Sequence, residues 1–173
     1  VLFSTTASIK LEGYSFSEGV NLVIGDLELP AESYIVVCGN DTAFANTFGF
    51  QADAQWASGA LSNGGEQITM LDASGDIVFS ISYDDNQPWP ENADGDGPSI
   101  ELCDLDEDFT MAGSWGASNV STGVLIDGTE IFGSPGSSNN SDCGLNFDIS
   151  VEVSSNVFTP ADITIDIGQT VLW

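Results

Sequence analysis

The sequence predicts an all-β protein organised as a β-sandwich. Short apolar runs alternate with Gly, Asn, Asp and Pro, and most of these runs are rich in Val, Ile and Tyr. The predicted strands cover residues 20–24, 33–37, 66–71, 77–83 and 98–102. Apolar residues make up 42% of the 173 residues, including 10 Phe and 4 Trp, so the chain can fill a core.

Local signals add a hairpin and one short helix. Residues 72–76 form a tight turn in which Gly75 can take a positive φ, so the strands on either side are expected to pair antiparallel. A helix is expected over residues 42–48, because Asp41 can cap its first turn and Gly49 can end it.

Changes in composition after residue 113 indicate further strands, then a linker, and then a separate tail. Residues 113–130 are expected to add the last strands of the sandwich, and residues 133–141 form a Gly/Ser/Asn run typical of a linker. Beyond it, residues 147–153 and 163–167 alternate apolar and polar side chains as half-buried strands do, and residues 170–173 begin another strand. This tail is too short to bury a sandwich core, so it is expected either to begin a second domain or to dock elsewhere.

The charge balance excludes several functions. Lys10 is the single basic side chain against 27 Asp and Glu residues, and there is no His, giving a net charge of -26. Such a field repels phosphate backbones and anionic lipids, so no nucleic acid is expected as a partner, and no apolar run is long enough for membrane insertion. Without His or Arg the chain lacks common proton shuttles and oxyanion clamps, so it is not expected to be an enzyme.

Many spaced motifs in residues 1–136 resemble a bacterial lamin-tail domain. The motifs are LEGYSFSEG at 11–19, YIVV at 34–37, Phe44, FG at 48–49, Trp56, LSNGGE at 61–66, LD at 71–72, Gly75, YDD at 83–85, PWP at 88–90, DGDGPSIEL at 94–102, Trp115 and GSPG at 133–136. The resemblance implies an immunoglobulin-like β-sandwich without catalytic residues, serving as an accessory module of exported or cell-surface bacterial proteins. Family members usually begin one strand earlier, so this chain is expected to lack the first strand.

The tail is similar to a second family. VFTP at 157–160, ITI at 163–165, IGQTV at 167–171 and Trp173 resemble the opening strands of a cupredoxin-like domain. The expected organisation is therefore a sandwich at 1–136, a linker at 137–144 and partial cupredoxin-like strands at 145–173. The family's copper ligands would follow Trp173, so no copper site is expected within this chain.

Acidic side chains suggest a cation site. Asp84, Asp85, Asp94 and Asp96 could supply oxygen ligands to calcium, although their spacing is not that of an EF-hand. The alternative is a turn in which these carboxylates bond to their own backbone. A second acidic run, Asp104, Asp106 and Asp108, is interpreted as a solvated edge that discourages strand pairing.

The cysteines and tryptophans are each open to two interpretations. Cys38 and Cys103 lie in strand-like runs and could form a disulfide, or they could be two small buried apolar residues, while the pairing of Cys143 is left open. Trp56, Trp89 and Trp115 are interpreted as core or loop anchors, with sugar stacking as the alternative.

The expected function is that of a non-catalytic structural or interaction module of a large, exported multidomain protein. The chain begins with Val1, so any export signal is expected outside it, and the acidity fits a saline or calcium-rich exterior. Its partners would be other domains or subunits of an extracellular assembly, with β-strand complementation as a specific route to assembly. The alternatives are the accessory region of a secreted nuclease or phosphatase, and a calcium-dependent adhesin segment.

Overall fold

The computed structural model describes residues 2–3, 6–142, 149–150, 152–154, 157–159 and 171–172. The chain divides into two compact units, Val1–Asp142 and Cys143–Trp173. The described residues form short strands with one α-helix, so the predicted all-β fold is confirmed.

The described strands of the first unit are short and numerous. They are β1 (Leu2–Phe3), β2 (Ile9–Lys10), β3 (Ser15–Glu18), β4 (Val20–Val23), β5 (Glu28–Leu29), β6 (Tyr34–Ile35), β7 (Val37–Cys38), β8 (Ala54–Gln55), β9 (Ser58–Gly59), β10 (Glu66–Leu71), β11 (Ile77–Tyr83), β12 (Ile100–Leu102), β13 (Trp115–Ser118), β14 (Ser121–Ile126), β15 (Thr129–Phe132) and β16 (Ser141–Asp142). The helix α1 spans Asp41–Phe48, and 3-10 helices cover Glu91–Ala93 and Ala112–Ser114.

The largest described sheet has five strands in the order β11-β10-β3-β4-β9. Strands β10 and β11 pair antiparallel through registers such as Ile68 with Ile81, which confirms the predicted hairpin. Gly75 in the connecting turn has φ 89°, the left-handed conformation that glycine adopts without steric cost. Strand β11 is an edge of this sheet because, among the described residues, it pairs only with β10.

A second sheet joins β12, β13 and β16, and β14 pairs with β15 in a hairpin. Smaller pairs are β1 with β6, β2 with β5, and the parallel pair β7 with β8. The strands expected within residues 113–130 are thus present as β13, β14 and the start of β15.

The core lies under the five-stranded sheet. In β4, Val20 and Leu22 are buried whereas Asn21 and Val23 are exposed, as the period of two in a strand requires. The buried cluster consists of Leu11, Leu22, Ile24, Leu29, Ile35 and Met70. The partly buried aromatic rings of Phe16, Trp56 and Phe79 pack against this cluster.

Helix α1 begins one residue earlier than predicted, and its cap is Asn40 instead of Asp41. The Asn40 backbone is extended, and its side-chain oxygen accepts a hydrogen bond of 2.8 Å from the Ala43 amide. The prediction of Asp41 as the cap is therefore wrong. Gly49 ends the helix with φ 79°, as predicted.

In the second unit the structure describes four short strands. They are β17 (Ile149–Ser150), β18 (Glu152–Ser154), β19 (Val157–Thr159) and β20 (Val171–Leu172). Strand β17 pairs parallel with β20, and β18 pairs antiparallel with β19. Of the strand predicted at 147–153, the described residues 149–150 lie in β17 and 152–153 in β18, and the strand predicted at 163–167 lies outside the described residues.

Candidate functional site

A buried carboxylate organises one side of the first unit. Glu101 lies in the middle of β12 and is only 6% exposed. Its Oε1 accepts hydrogen bonds from the amide of Ser134 at 2.9 Å and from the Ser134 hydroxyl at 2.7 Å. Its Oε2 accepts a third bond, of 3.0 Å, from the Asn140 amide. Three donors offset the loss of water around this carboxylate, and they fix the polar segment 133–141 against the sheet.

The polar segment itself contains a tight turn. The Ser137 amide donates to the Ser134 carbonyl at 3.0 Å, with Pro135 and Gly136 between them. Gly136 has φ 77°, so the residue types match a type II turn, which favours Pro at its second position and Gly at its third.

This segment was predicted to be a linker, and the structure differs. The Asn139 side chain donates to the Leu102 carbonyl at 2.9 Å, and Ser141–Asp142 continues as β16 beside β13. The expected linker at 137–144 is therefore part of the first unit up to Asp142, because Glu101 and β13 supply partners for its backbone. Residues 143 and 144 lie outside the described residues.

A groove of about 400 Å³ lies between the polar segment and the end of α1. It is lined by Phe48, Phe50, Val120, Thr122, Gly133, Ser134, Pro135, Ser137, Ser138 and Asn140. Phe48, Phe50, Val120 and Pro135 form its apolar part, and Ser, Thr and Asn residues form its polar part.

The Phe rings of the groove are held by their neighbours. The Phe44 ring lies 4.7 Å from that of Phe48 and 5.1 Å from that of Phe50, the latter edge-on. Phe50 remains 40% exposed, while its ring also faces Gly136. An exposed but supported aromatic ring is suited to contact with a ligand.

The second notable surface is the free edge of β11, which we call the open edge. Residues 77–83 read IVFSISY, without a charge, a proline or a glycine. Ile77 and Val78 are 67% and 49% exposed. The register with β10 shifts between Met70 and Leu71, so a bulge lies at the start of the strand and the pairing is regular after it.

Tyr83 anchors the far end of the open edge. Its hydroxyl donates to the Ser62 carbonyl at 2.6 Å and to Glu66 Oε1 at 3.2 Å. Burial, followed by the charge and hydrogen bond of Glu66, raises the pKa of Tyr83 to about 12. The strand end is therefore tied to the turn before β10.

A polar network crosses the sheet beside the open edge. The Thr69 hydroxyl donates to Glu18 Oε2 at 3.0 Å and lies 2.8 Å from the Ser80 hydroxyl. The Gln67 side-chain amide donates to the Ser80 hydroxyl at 2.8 Å. These contacts link β11 to β10 and β3, so the open edge is held in an extended conformation.

The predicted calcium ligands are engaged in local turns. Asp84 Oδ1 accepts from the Asn86 side chain at 3.0 Å and from its backbone amide at 2.9 Å, and these bonds lower the pKa of Asp84. Asp94 follows the 3-10 helix, where its amide donates to the Glu91 carbonyl. Within the described residues no group of three or more acidic, His or Cys side chains could hold a metal ion. Asp84, Asp85, Asp94 and Asp96 thus do not form such a group, and the alternative of a local turn describes Asp84 better.

The second acidic run also forms turns. Asp104 Oδ1 accepts from the Asp106 amide at 3.0 Å, and Asp108 Oδ1 accepts from the Thr110 amide at 2.9 Å. All three aspartates of the run are exposed, which agrees with a solvated acidic segment. They do not form an edge strand, because their side chains bond to the local backbone instead.

The predicted disulfide between Cys38 and Cys103 is wrong. Cys38 is a free, buried cysteine whose thiol donates to Asp41 Oδ1 at 3.2 Å. Cys103 is in a disulfide, and it follows β12 in a different sheet from β7, which carries Cys38. Burial, then the hydrogen bond and charge of Asp41, raise the pKa of the Cys38 thiol. Cys143 lies outside the described residues.

The tryptophans serve as anchors. Trp89 is buried at 7% exposure, and its ring lies 5.9 Å from that of Trp115. The Trp115 indole donates to the Phe109 carbonyl at 2.8 Å, and the Trp56 indole donates to the Gly59 carbonyl at 3.2 Å. Their polar atoms are therefore used within the fold, as the anchor interpretation predicts.

No family model, curated protein or solved structure matches this chain. The lamin-tail and cupredoxin resemblances therefore remain hypotheses. In the described part of the chain, no helix has the length and apolar character needed to cross a bilayer.

Proposed function

We propose that this chain is a non-catalytic interaction module of a large exported or cell-surface bacterial protein. Its open edge would bind an extended segment of a neighbouring subunit or domain as an added β-strand. The observation that carries this proposal is the seven-residue edge strand Ile77–Tyr83, which has no charged residue and no proline. Proteins commonly block such edges, because the free amides and carbonyls accept another strand.

The backbone supplies the affinity in this mode of binding. On an edge strand of an antiparallel sheet, alternate residues direct their N–H and C=O groups away from the sheet. An added strand pairs with these groups, and its side chains then meet the neighbouring faces. The Thr69–Ser80 contact and the Tyr83 hydrogen bonds hold β11 extended before a partner arrives, which lowers the entropy cost of binding.

Charge selects the kind of partner. The open edge is bracketed by Asp76 and Asp84, both exposed, within a chain of net charge -26. Two copies of this chain would bring like charges together, whereas a segment with basic residues at its ends would meet opposite charges. We therefore propose that the partner strand has an apolar centre flanked by Lys or Arg.

The resemblance to lamin-tail and cupredoxin-like domains is consistent with a non-catalytic binding role. A lamin-tail-like, immunoglobulin-like sandwich at 1–136, followed by cupredoxin-like strands, would be an accessory region without catalytic residues. The all-β fold supports this proposal, and so does the absence of His and Arg from the sequence. Export to a saline exterior would screen the self-repulsion of an acidic surface.

The proposal can be tested with synthetic peptides and the full chain. The probe is a peptide of about eleven residues, alternating Val and Thr, with lysines at both ends. One control peptide has glutamates in place of the lysines, and another has prolines within the alternating part. We expect the lysine peptide to bind in low salt and both controls to fail in calorimetric titration. Equal binding of all three peptides, or of none, would overturn the proposal.

Matched variants of the protein test the role of charge. Asp76→Asn removes one carboxylate beside the open edge, and the control Asp127→Asn removes one in the turn between β14 and β15. Asp127 has φ 51°, which Asn tolerates, so the control should fold normally. We expect Asp76→Asn to weaken binding of the lysine peptide and Asp127→Asn to leave it unchanged. If both variants weaken binding equally, attraction to the overall charge explains it and the edge does not.

A further inference from the structure

The groove beside α1 has features that the open edge does not explain. None of its ten lining residues is charged, although the sequence has 27 acidic residues. Its volume of about 400 Å³ lies within the usual range for small-ligand sites, about 300–1,000 Å³. An uncharged groove on a strongly acidic protein is suited to a neutral ligand.

Several polar side chains at the rim are free to bind such a ligand. Ser137, Ser138 and Asn140 are exposed, and their side chains make no hydrogen bond to another described residue. By contrast, Ser134 is bonded to Glu101, and the Thr122 hydroxyl donates to the Ile131 carbonyl at 2.6 Å. The free groups are two hydroxyls and one amide, which can both donate and accept.

The aromatic rings that line the groove are held by neighbouring residues. Phe50 is restrained by the edge-on contact with Phe44 and by the close approach of Gly136, where an added Cβ would lie 3.6 Å from the Phe50 ring. Gly136 is in turn held by the turn that Glu101 fixes through Ser134. The Phe50 ring and the backbone that carries the polar rim are therefore held in one arrangement.

We propose that this groove binds a neutral saccharide. The apolar C–H face of a sugar ring would lie against Phe50, and its hydroxyls would bond to Ser137, Ser138 and Asn140. An anionic ligand would be repelled by the field of the protein, and a cation would find no carboxylate in the lining. A wholly apolar ligand would desolvate the polar rim without satisfying it.

The test uses the full chain and a panel of neutral oligosaccharides built from glucose, mannose, galactose or N-acetylglucosamine. Binding is measured by saturation-transfer NMR and by titration, with an oligogalacturonate as the anionic comparison. We expect at least one neutral oligosaccharide to bind and to receive saturation on its ring protons, and the anionic one to bind more weakly. If no neutral oligosaccharide binds, or if the anionic one binds best, the proposal is overturned.

Variants locate the site. Phe50→Ala should weaken the binding of the responding oligosaccharide by about tenfold, as for the loss of a central aromatic contact. The control is Phe109→Ala, because Phe109 is similarly exposed, at 36%, but does not line the groove. Phe50→Leu keeps apolar packing while removing the aromatic face, so it should lose affinity while the chain stays folded. Unchanged affinity in a folded Phe50→Leu variant would contradict the assignment of this ring.

Discussion

Glu101 and Ser134 are joined by two hydrogen bonds to the same carboxylate oxygen, from the Ser134 amide at 2.9 Å and from its hydroxyl at 2.7 Å. The residues are 33 positions apart, so this contact closes a long loop. It converts a polar, linker-like segment into one wall of the groove. The fold of the groove therefore depends on a buried carboxylate in β12.

Replacing Glu101 with Gln should destabilise the first unit. The amide group of Gln can accept at only one end, so it would leave at least one of the Ser134 and Asn140 donors without an acceptor. We expect the free energy of unfolding to fall by about 2 kcal/mol, the usual cost of an unsatisfied buried polar group. Chemical denaturation measures this, with the exposed Glu12→Gln as the control within about 0.5 kcal/mol. Equal stability of the two variants would show that the Glu101 contacts do not hold the segment.

Replacing Gly136 with Ala should also cost stability. Gly136 has φ 77°, which places an L side chain in the strained left-handed region. We expect a loss of about 1 kcal/mol in the free energy of unfolding. Gly113→Ala is the matched control, since a Cβ there meets no atom within 4 Å and its φ is not positive. An equally small effect of both substitutions would contradict the turn geometry.

The raised pKa of Tyr83 predicts that the free energy of unfolding falls at high pH. Its pKa is raised from 10.0 to about 12, so the folded state retains the phenol proton longer than the unfolded state does. The associated stability is fully present below pH 10.0 and is lost as the pH rises toward 12. Urea unfolding across this range should show a smaller fall for Tyr83→Phe than for the natural chain. Tyr14→Phe is the control, and its free energy of unfolding should fall with pH as much as that of the natural chain. If the free energy of Tyr83→Phe also falls by the full amount, the assignment of this pH dependence to Tyr83 is wrong.

Cys38 should react slowly with thiol reagents in the folded chain. It is 7% exposed, and burial together with Asp41 raises its pKa, so little reactive thiolate is present at neutral pH. Asp41→Asn should speed the reaction by removing the neighbouring charge, although unfolding should speed it far more. Mass spectrometry of the Cys38 peptide measures the rate. Recovery of Cys38 in a disulfide with Cys103 would contradict the structure.

The sequence predicted the fold class because the strand signals are local. The pair β10 and β11 was predicted from two apolar runs around Gly75, and Gly49 marked the end of α1. Asn40 was missed as the helix cap because Asn and Asp are equivalent capping residues and stand side by side. The hairpin of β14 and β15 was not predicted, although the Asp127-Gly128 pair between the two strands is a typical hairpin signal.

The groove could not be predicted in the same way. It depends on Glu101 meeting Ser134 and Asn140, and spacing along the chain carries no signal for a contact that distant. The Gly, Ser and Asn content of residues 133–141 favoured a linker, and the match of Ser134-Pro135-Gly136-Ser137 to a type II turn was missed. The acidic residues suggested a cation site and an acidic strand edge that the structure does not form among the residues it describes. Asp84 and Asp104 accept hydrogen bonds from nearby backbone amides instead.

The proposal that β11 accepts an added strand can be tested by amide hydrogen exchange on the full chain. In the presence of the lysine-flanked Val/Thr peptide, alternate amides of Phe79 to Tyr83 should gain protection, since these groups point away from β10. The amides of β4, in the interior of the same sheet, should not change. Unchanged exchange in β11, or protection appearing only elsewhere, would contradict the claim.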